Sequence, residues 1–420
     1  MSKKLSNKEK LLLQEVLSFP LFKTFTDRRG RRFGLGYELS DIPKPFKSNA
    51  TPVSLTNLET ALLCWAGDGT NGLALGDINI PNHVFSWSGK THPAPGNDFH
   101  TNLVYLNDDG AFLYRPKPAK KLIEYKTNED FEGIVEDFDA SVVQIAKGRP
   151  DIGTAGALPM NLWHVNKPGS TLFLPITDFT AEYINFLMVT FEGMGIRIFD
   201  DIKGKPAGIQ KWIDNGYLKG PEMPLRMQDQ MMKVVTSCVA NYICEHISLT
   251  AQAMGLGSLV FAGVTPLVIL GGTPFTQGLG FRFISDKQGM PVAVGKDGFL
   301  EAHCPPYFPS MNEAVDDVMK VKFGPGGPFG PDPVSPPPFN DPKEWEPLFT
   351  AYRPETVQCT KDFCNYIWET YGRFPATVES MDIPIAVTVH HVDPEFYDRF
   401  YPKEAVPDYM REHLKHWHEG

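Results

Sequence analysis

The chain has 420 residues, 42% hydrophobic and 21% charged, with a net charge of −10 at pH 7. This is the composition of a soluble globular protein with a sizeable core and room for two domains. The negative balance excludes nucleic acid as a default partner, because nothing would broadly neutralise phosphates. The first ten residues are charged and lack the apolar stretch of a signal peptide. No apolar run is long enough to span a bilayer. Six cysteines are scattered without a CxxC pair, which fits a reducing compartment. A cytoplasmic protein with no membrane partner is expected.

In chain order, residues 7–24 have helical spacing, with Leu11, Leu12, Val16 and Leu17 on one face. Arg28, Arg29, Arg31 and Arg32 follow, set among glycines. Guanidinium forks suit phosphate and carboxylate oxygens, although such a cluster also makes a solvated turn. Leu55 to Trp65 is an amphipathic helix that Ser54 or Thr56 can cap. A turn-rich stretch runs to Asn97. A hairpin then joins 101–106 to 111–114 through Asn107 and Gly110. Residues 120–150 show no clean period. A strand is expected at 172–176, ending at Pro175, and a helix at 178–191, capped by Thr177 or Asp178. Residues 200–230 look like an insertion over a pocket, with Trp212 and Tyr217 as lid candidates.

The apolar run from Val234 to Ala253 is helical and breaks at Gly255 and Gly257. Two glycines one residue apart let backbone approach a flat group, or simply cap the helix. A second apolar run, 259–270, reads as a strand or helix. Weaker signals give a strand at 279–284, a helix at 355–372, a strand at 383–390 and a terminal amphipathic helix at 404–418. The Gly/Pro-rich segment 324–338 is an extended connection.

Four of these stretches, in this order, resemble the nitroreductase-like FMN-dependent flavoproteins, and especially the azoline-oxidase-like branch. The arginines at 28–32 resemble an Arg-Arg-Ser-x-Arg stretch, with Gly30 in the serine position. Cys64, Trp65 and Ala66 resemble the end of an "LLWAA" helix. Thr91 to Asn97 resembles an "xxPSAGxLYP" turn, with Ala94 replacing serine and no Tyr-Pro. Leu249 to Ser258 resembles "LAAxALGLGS". The resemblance covers residues 25–270 in patches.

It implies an α+β, nitroreductase-like fold: a central, mostly antiparallel sheet flanked by helices, after an N-terminal helix at 1–24 and before a long extension at 271–420. It implies FMN at the interface of a homodimer and hydride transfer to or from a small-molecule substrate, with the catalytic residues not identified. Arg28, Arg29, Arg31 and Arg32 would hold the phosphate. Thr91, Pro93, Ala94, Gly96 and Asn97, together with Met254, Gly255, Leu256 and Gly257, would contact the flavin. The family's C-terminal basic residue has no clear counterpart beyond Arg373. The lost serines leave a second reading open, a flavin-free binding or interaction protein on the same fold.

A third reading rests on residues alone. Five of the eleven histidines lie near the end: His390, His391, His413, His416 and His418. With Asp393 they could ligate the metal of a metal-dependent enzyme, although their spacing matches no standard closed site. His413 and His416 share a helix face, and only one of His390 and His391 can face them. Trp163 is either a stacking group or a packed tryptophan. Tyr397, Phe400 and Tyr401 read as packing aromatics, and Cys64 as core.

Overall fold

A computed structural model describes residues 4–40, 42–75, 87–94, 100–122, 125, 127–153 and 156–418. Helix and sheet are mixed along the chain. The central sheet comprises β1 (Thr101–Leu106), β2 (Gly110–Tyr114), β3 (Val142–Lys147), β4 (Thr171–Asp178), β5 (Gly257–Phe261), β6 (Met381–Asp382) and β7 (Ala386–His390). Its order is β5-β7-β4-β1-β2-β3, with β6 also on β4, and every pair is antiparallel. The helices used below are α1 (Asn7–Ser18), α2 (Leu21–Asp27), α3 (Asn57–Asp68), α4 (Phe179–Val189), α5 (Leu225–Met254), α6 (Pro354–Tyr371), α7 (Asp408–Arg411) and α8 (His413–Trp417).

All eight residues of β4 are buried, as a strand covered on both faces requires. The two-residue period sorts the neighbouring side chains. Leu103, Tyr105, Phe173, Val387 and Val389 pack with Leu58, Leu62, Ile243 and Ile247 of α3 and α5. Val104, Leu106, Leu172 and Leu174 face the opposite layer, with Ile184, Leu187 and Phe363 of α4 and α6. Each such aliphatic side chain contributes about 1.5–3 kcal/mol when fully buried.

Several boundaries differ from the sequence reading. The first helix is two, because Pro20 cannot continue α1 and stands before α2 instead. The expected stop at Pro175 does not occur. β4 runs through it, because β7 pairs only as far as Phe173 and β6 begins at Thr177. The missing N–H faces the gap between them. The 259–270 run supplies both readings, β5 and then a helix at Pro266–Leu270. The stretch without a clean period holds a helix, Asn128–Glu136, and β3. The terminal helix is broken into α7 and α8, with Pro402 and Pro407 ahead of them.

Residues 200–230 are tied down. The Trp212 indole N–H donates to Asp362 Oδ2 at 2.7 Å, and the Tyr217 hydroxyl lies 2.7 Å from Thr356 Oγ1, both on α6. The Gly/Pro-rich connection has no helix or strand within 324–338 and packs on Trp87, whose indole N–H donates to Pro328 O at 2.8 Å. The region after residue 271 is not peripheral, because β7 sits between β5 and β4. Among the described residues, no helix is long and apolar enough to cross a membrane. All six cysteines are free thiols, and Cys64 is buried in the core.

Candidate functional site: an arginine and aromatic pocket

α5 ends at Gly255, whose φ of 89° is the left-handed cap that glycine adopts at least cost. The Leu256 N–H donates back to Ala251 O at 2.8 Å. The backbone of this turn does come close to something, but the neighbour is protein. A Cβ on Gly255 would lie 3.2 Å from His413 Nδ1 and 3.3 Å from Tyr409 O. One on Gly257 would lie 2.8 Å from Arg31 O and 2.9 Å from His390 Nε2. The C-terminal helices at Gly255, and Arg31 with His390 at Gly257, therefore cover the face assigned to a flavin ring.

The arginines divide by role. Arg28 makes an exposed ion pair with Glu245 at 3.3 Å, a contact of little energetic weight. Arg31 is buried. Its Nε donates to Ala405 O at 2.7 Å, and its Nη1 donates to Asp27 O at 3.2 Å and Gln252 Oε1 at 2.9 Å. Arg31 thus anchors the C-terminal segment to α5. Arg29 donates to Thr26 O and Arg28 O but stays exposed at the rim of a pocket. Arg32 carries its guanidinium 5.5 Å from the centre of the Trp163 ring, a cation–π contact.

That pocket has a volume of about 450 Å³ and is walled by Arg29, Arg32, Trp163, Phe396, Tyr397 and Tyr401. Phe33 forms its floor, stacked on Phe396 at 4.0 Å and on Trp163 at 6.2 Å. The Tyr397 hydroxyl accepts the Phe33 N–H at 3.1 Å, and burial pushes that phenol up to about 12. Behind the wall, burial pulls His164 down to about 4, with Arg32 and Lys167 adding repulsion. Burial, with repulsion from His164, pulls His390 down to about 3. Both imidazoles are neutral at pH 7, so the arginines carry the positive charge at this pocket.

The third predicted patch lies elsewhere. Thr91 Oγ1 donates to Trp65 O at 3.0 Å, and the Thr91 N–H donates to Gly69 O at 3.0 Å. Pro93 O is 3.0 Å from His92 Nδ1, and Ala94 packs on the core beneath α3. These residues finish the C-terminal end of α3, while Met254 to Gly257 lie at its N-terminal end. The two places are on the order of 15 Å apart along the helix. Gly96 and Asn97 lie outside the described residues. Arg373 is occupied by Val378 O, Glu379 and Asp286. The sequence reading treated Tyr397 and Tyr401 as packing. Their place in the pocket has no local signal, because both stand more than 360 residues after Arg32.

No family model matches the chain, and no curated protein matches it. A solved structure is among those similar to it. It is a crystal structure of a Ralstonia eutropha JMP134 protein that carries a provisional nitroreductase assignment, with a TM-score of 0.30 and 11% identity over 60% of this chain and 73% of that one. A superposition that loose carries no argument about fold or function.

Proposed function

We propose that the pocket beside Arg29 and Arg32 takes a flat, anionic ligand of the flavin mononucleotide class, and that the chain is an oxidoreductase acting on a small organic substrate. One observation carries the reading: two guanidiniums and an aromatic wall meet in a single pocket of about 450 Å³. That volume suits a small-molecule site. The donor set fits the phosphate part of FMN, because Arg29 and Arg32 offer forked donors that Arg31 has spent inside the protein. The glycine turn does not fit the ring, since His413 and Tyr409 already cover it. Trp163, Tyr397 and Tyr401 are the residues left to flank a planar group. A bound flavin would supply hydride transfer. The chain itself would bind the charge, flank the ring and exclude water with Phe33 and Phe396.

The reading is tested by mixing the purified chain with excess FMN and desalting it. Flavin absorption that stays with the protein is the expected result. A colourless protein overturns the reading and favours a flavin-free binding protein, which the covered glycine turn supports.

A homodimer belongs to the same proposal. Met227, Val234 and Tyr242 are exposed on α5 at 59%, 63% and 39%, with Met231 and Cys238 half-buried between them. Spacings of three and four residues place these on one helix face. Beside it, α2 exposes Leu21, Phe22 and Phe25. A second copy of the same stripe is the simplest cover for an apolar face of this kind. Light scattering should give twice the chain mass, and Val234→Asp with Phe22→Asp should halve it. A wild-type monomer at micromolar concentration would contradict the dimer.

A further inference from the structure

On the far side of the glycine turn, four chemically related side chains converge, and the oxidoreductase reading uses none of them. Glu59 is fully buried in the first turn of α3. It closes a capping box, in which Oε2 accepts the Thr56 N–H at 2.6 Å. Its other oxygen, Oε1, lies 2.7 Å from His413 Nε2 on α8. His418 brings Nε2 to 3.3 Å from Glu59 Oε2, without hydrogen-bonding geometry. His391, just past β7, completes the group. Its ring centre is 5.2 Å from that of His413 and 4.6 Å from that of His418.

The hydrogen positions decide what the cluster is for. His413 Nδ1 lies 2.7 Å from Met254 O, which can only accept. Nδ1 therefore carries a proton, and in a neutral ring Nε2 would turn its lone pair towards the Glu59 carboxylate. A carboxylate is also an acceptor. Two acceptors at 2.7 Å need a cation. A proton on His413 could serve that one contact. It does nothing for His391, which is 3% exposed and whose ring nitrogens have no partner in good hydrogen-bonding geometry, the Ser54 backbone offering only a weak contact. Nor does it serve His418 Nε2. Buried polar atoms left this way destabilise a fold unless something binds them.

We propose that Glu59, His391, His413 and His418 form a binding site for one zinc-class divalent transition-metal ion. One ligand atom from each residue lies within 4.8 Å of the other three. Ligands at about 2.1 Å from a tetrahedral ion stand about 3.4 Å apart, so the site closes when the wider pairs draw in and the 2.7 Å contact of Glu59 with His413 opens. Three imidazoles and one carboxylate without a thiolate suit zinc and its neighbours, not calcium or magnesium. The His413 Nδ1–H donating to a backbone carbonyl is the outer contact that fixes the tautomer of a ligating histidine. Four protein ligands leave no open position, which makes this a structural site. The ion joins the start of α3, the end of β7 and the last helix, and so clamps the C-terminus over Gly255. His416 takes no part, because it pairs with Glu15 at the surface. Asp393 caps the helix Pro394–Phe400 instead.

The experiment uses the full chain and Co²⁺ as the probe. Protein stripped with a chelator is titrated with Co²⁺ and followed by visible absorption. One equivalent should give the intense bands of a tetrahedral ion, and one equivalent of Zn²⁺ should abolish them. His391→Gln should weaken Co²⁺ binding at least tenfold. If that variant does not fold, the wild type decides: Zn²⁺ should raise the melting temperature of stripped protein, and magnesium should not. Absence of tetrahedral bands together with an unchanged melting temperature overturns the proposal. Neither readout depends on flavin, so this site stands or falls apart from the pocket.

Discussion

Phe33→Ala will lower the stability of the chain by about 3–5 kcal/mol. Phe33 is fully buried and lies nearly parallel to Phe396, with ring centres 4.0 Å apart and planes at 10°. Phe46 and Tyr37 meet it edge-on at 5.4 and 5.9 Å. Aromatic pairs of this kind add about 0.5–1.5 kcal/mol beyond burial. The cavity left behind cannot collapse easily, since the Phe33 backbone is pinned by the Tyr397 hydroxyl and by Asp393, whose N–H donates to Phe33 O. Urea unfolding should show the loss as a lower midpoint with an unchanged slope. A change below about 1 kcal/mol would mean that the aromatic cluster is far looser than its geometry.

The second large effect falls on binding. Arg29→Ala combined with Arg32→Ala should weaken FMN binding at least tenfold, because charge-assisted hydrogen bonds contribute about 1.5–3 kcal/mol each and both side chains are partly screened by water. Stability should move by less than about 1 kcal/mol, since neither guanidinium is buried and their one helix contact is the exposed bond from Arg29 to Thr26 O at the end of α2. Arg31→Ala is the contrast. It should destabilise the chain, by loosening Ala405 and Gln252, before it touches any ligand. Fluorescence titration of both variants separates the two roles, and full FMN affinity in the double variant would remove the arginines from the site.

Local signals carried much of the fold. The Thr56 cap, the Asn107 to Gly110 turn and the Gly255 stop each act within a few residues of the chain, and each is formed where its chemistry says. What was not legible depends on distant partners. Arg31 looked like its three neighbours, and its burial rests on Ala405, 374 residues away. Glu59 carries no local signal of its role, because His413 lies 354 residues further on. The histidine count near the end allowed a metal only as a third reading. Only the fold shows that His391 and His418 belong to the cluster while His390 and His416 do not. Pro175 misled for the same reason, because its tolerance depends on where β6 and β7 stop.

The central claim is that one pocket holds both the charge and the plane of a flavin-class ligand. Parallel titrations of the wild type with FMN and riboflavin test it most directly, because the two share a ring and differ by the phosphate. FMN should bind at least tenfold more tightly, through Arg29 and Arg32. Equal affinities, or no binding of either, would contradict the account.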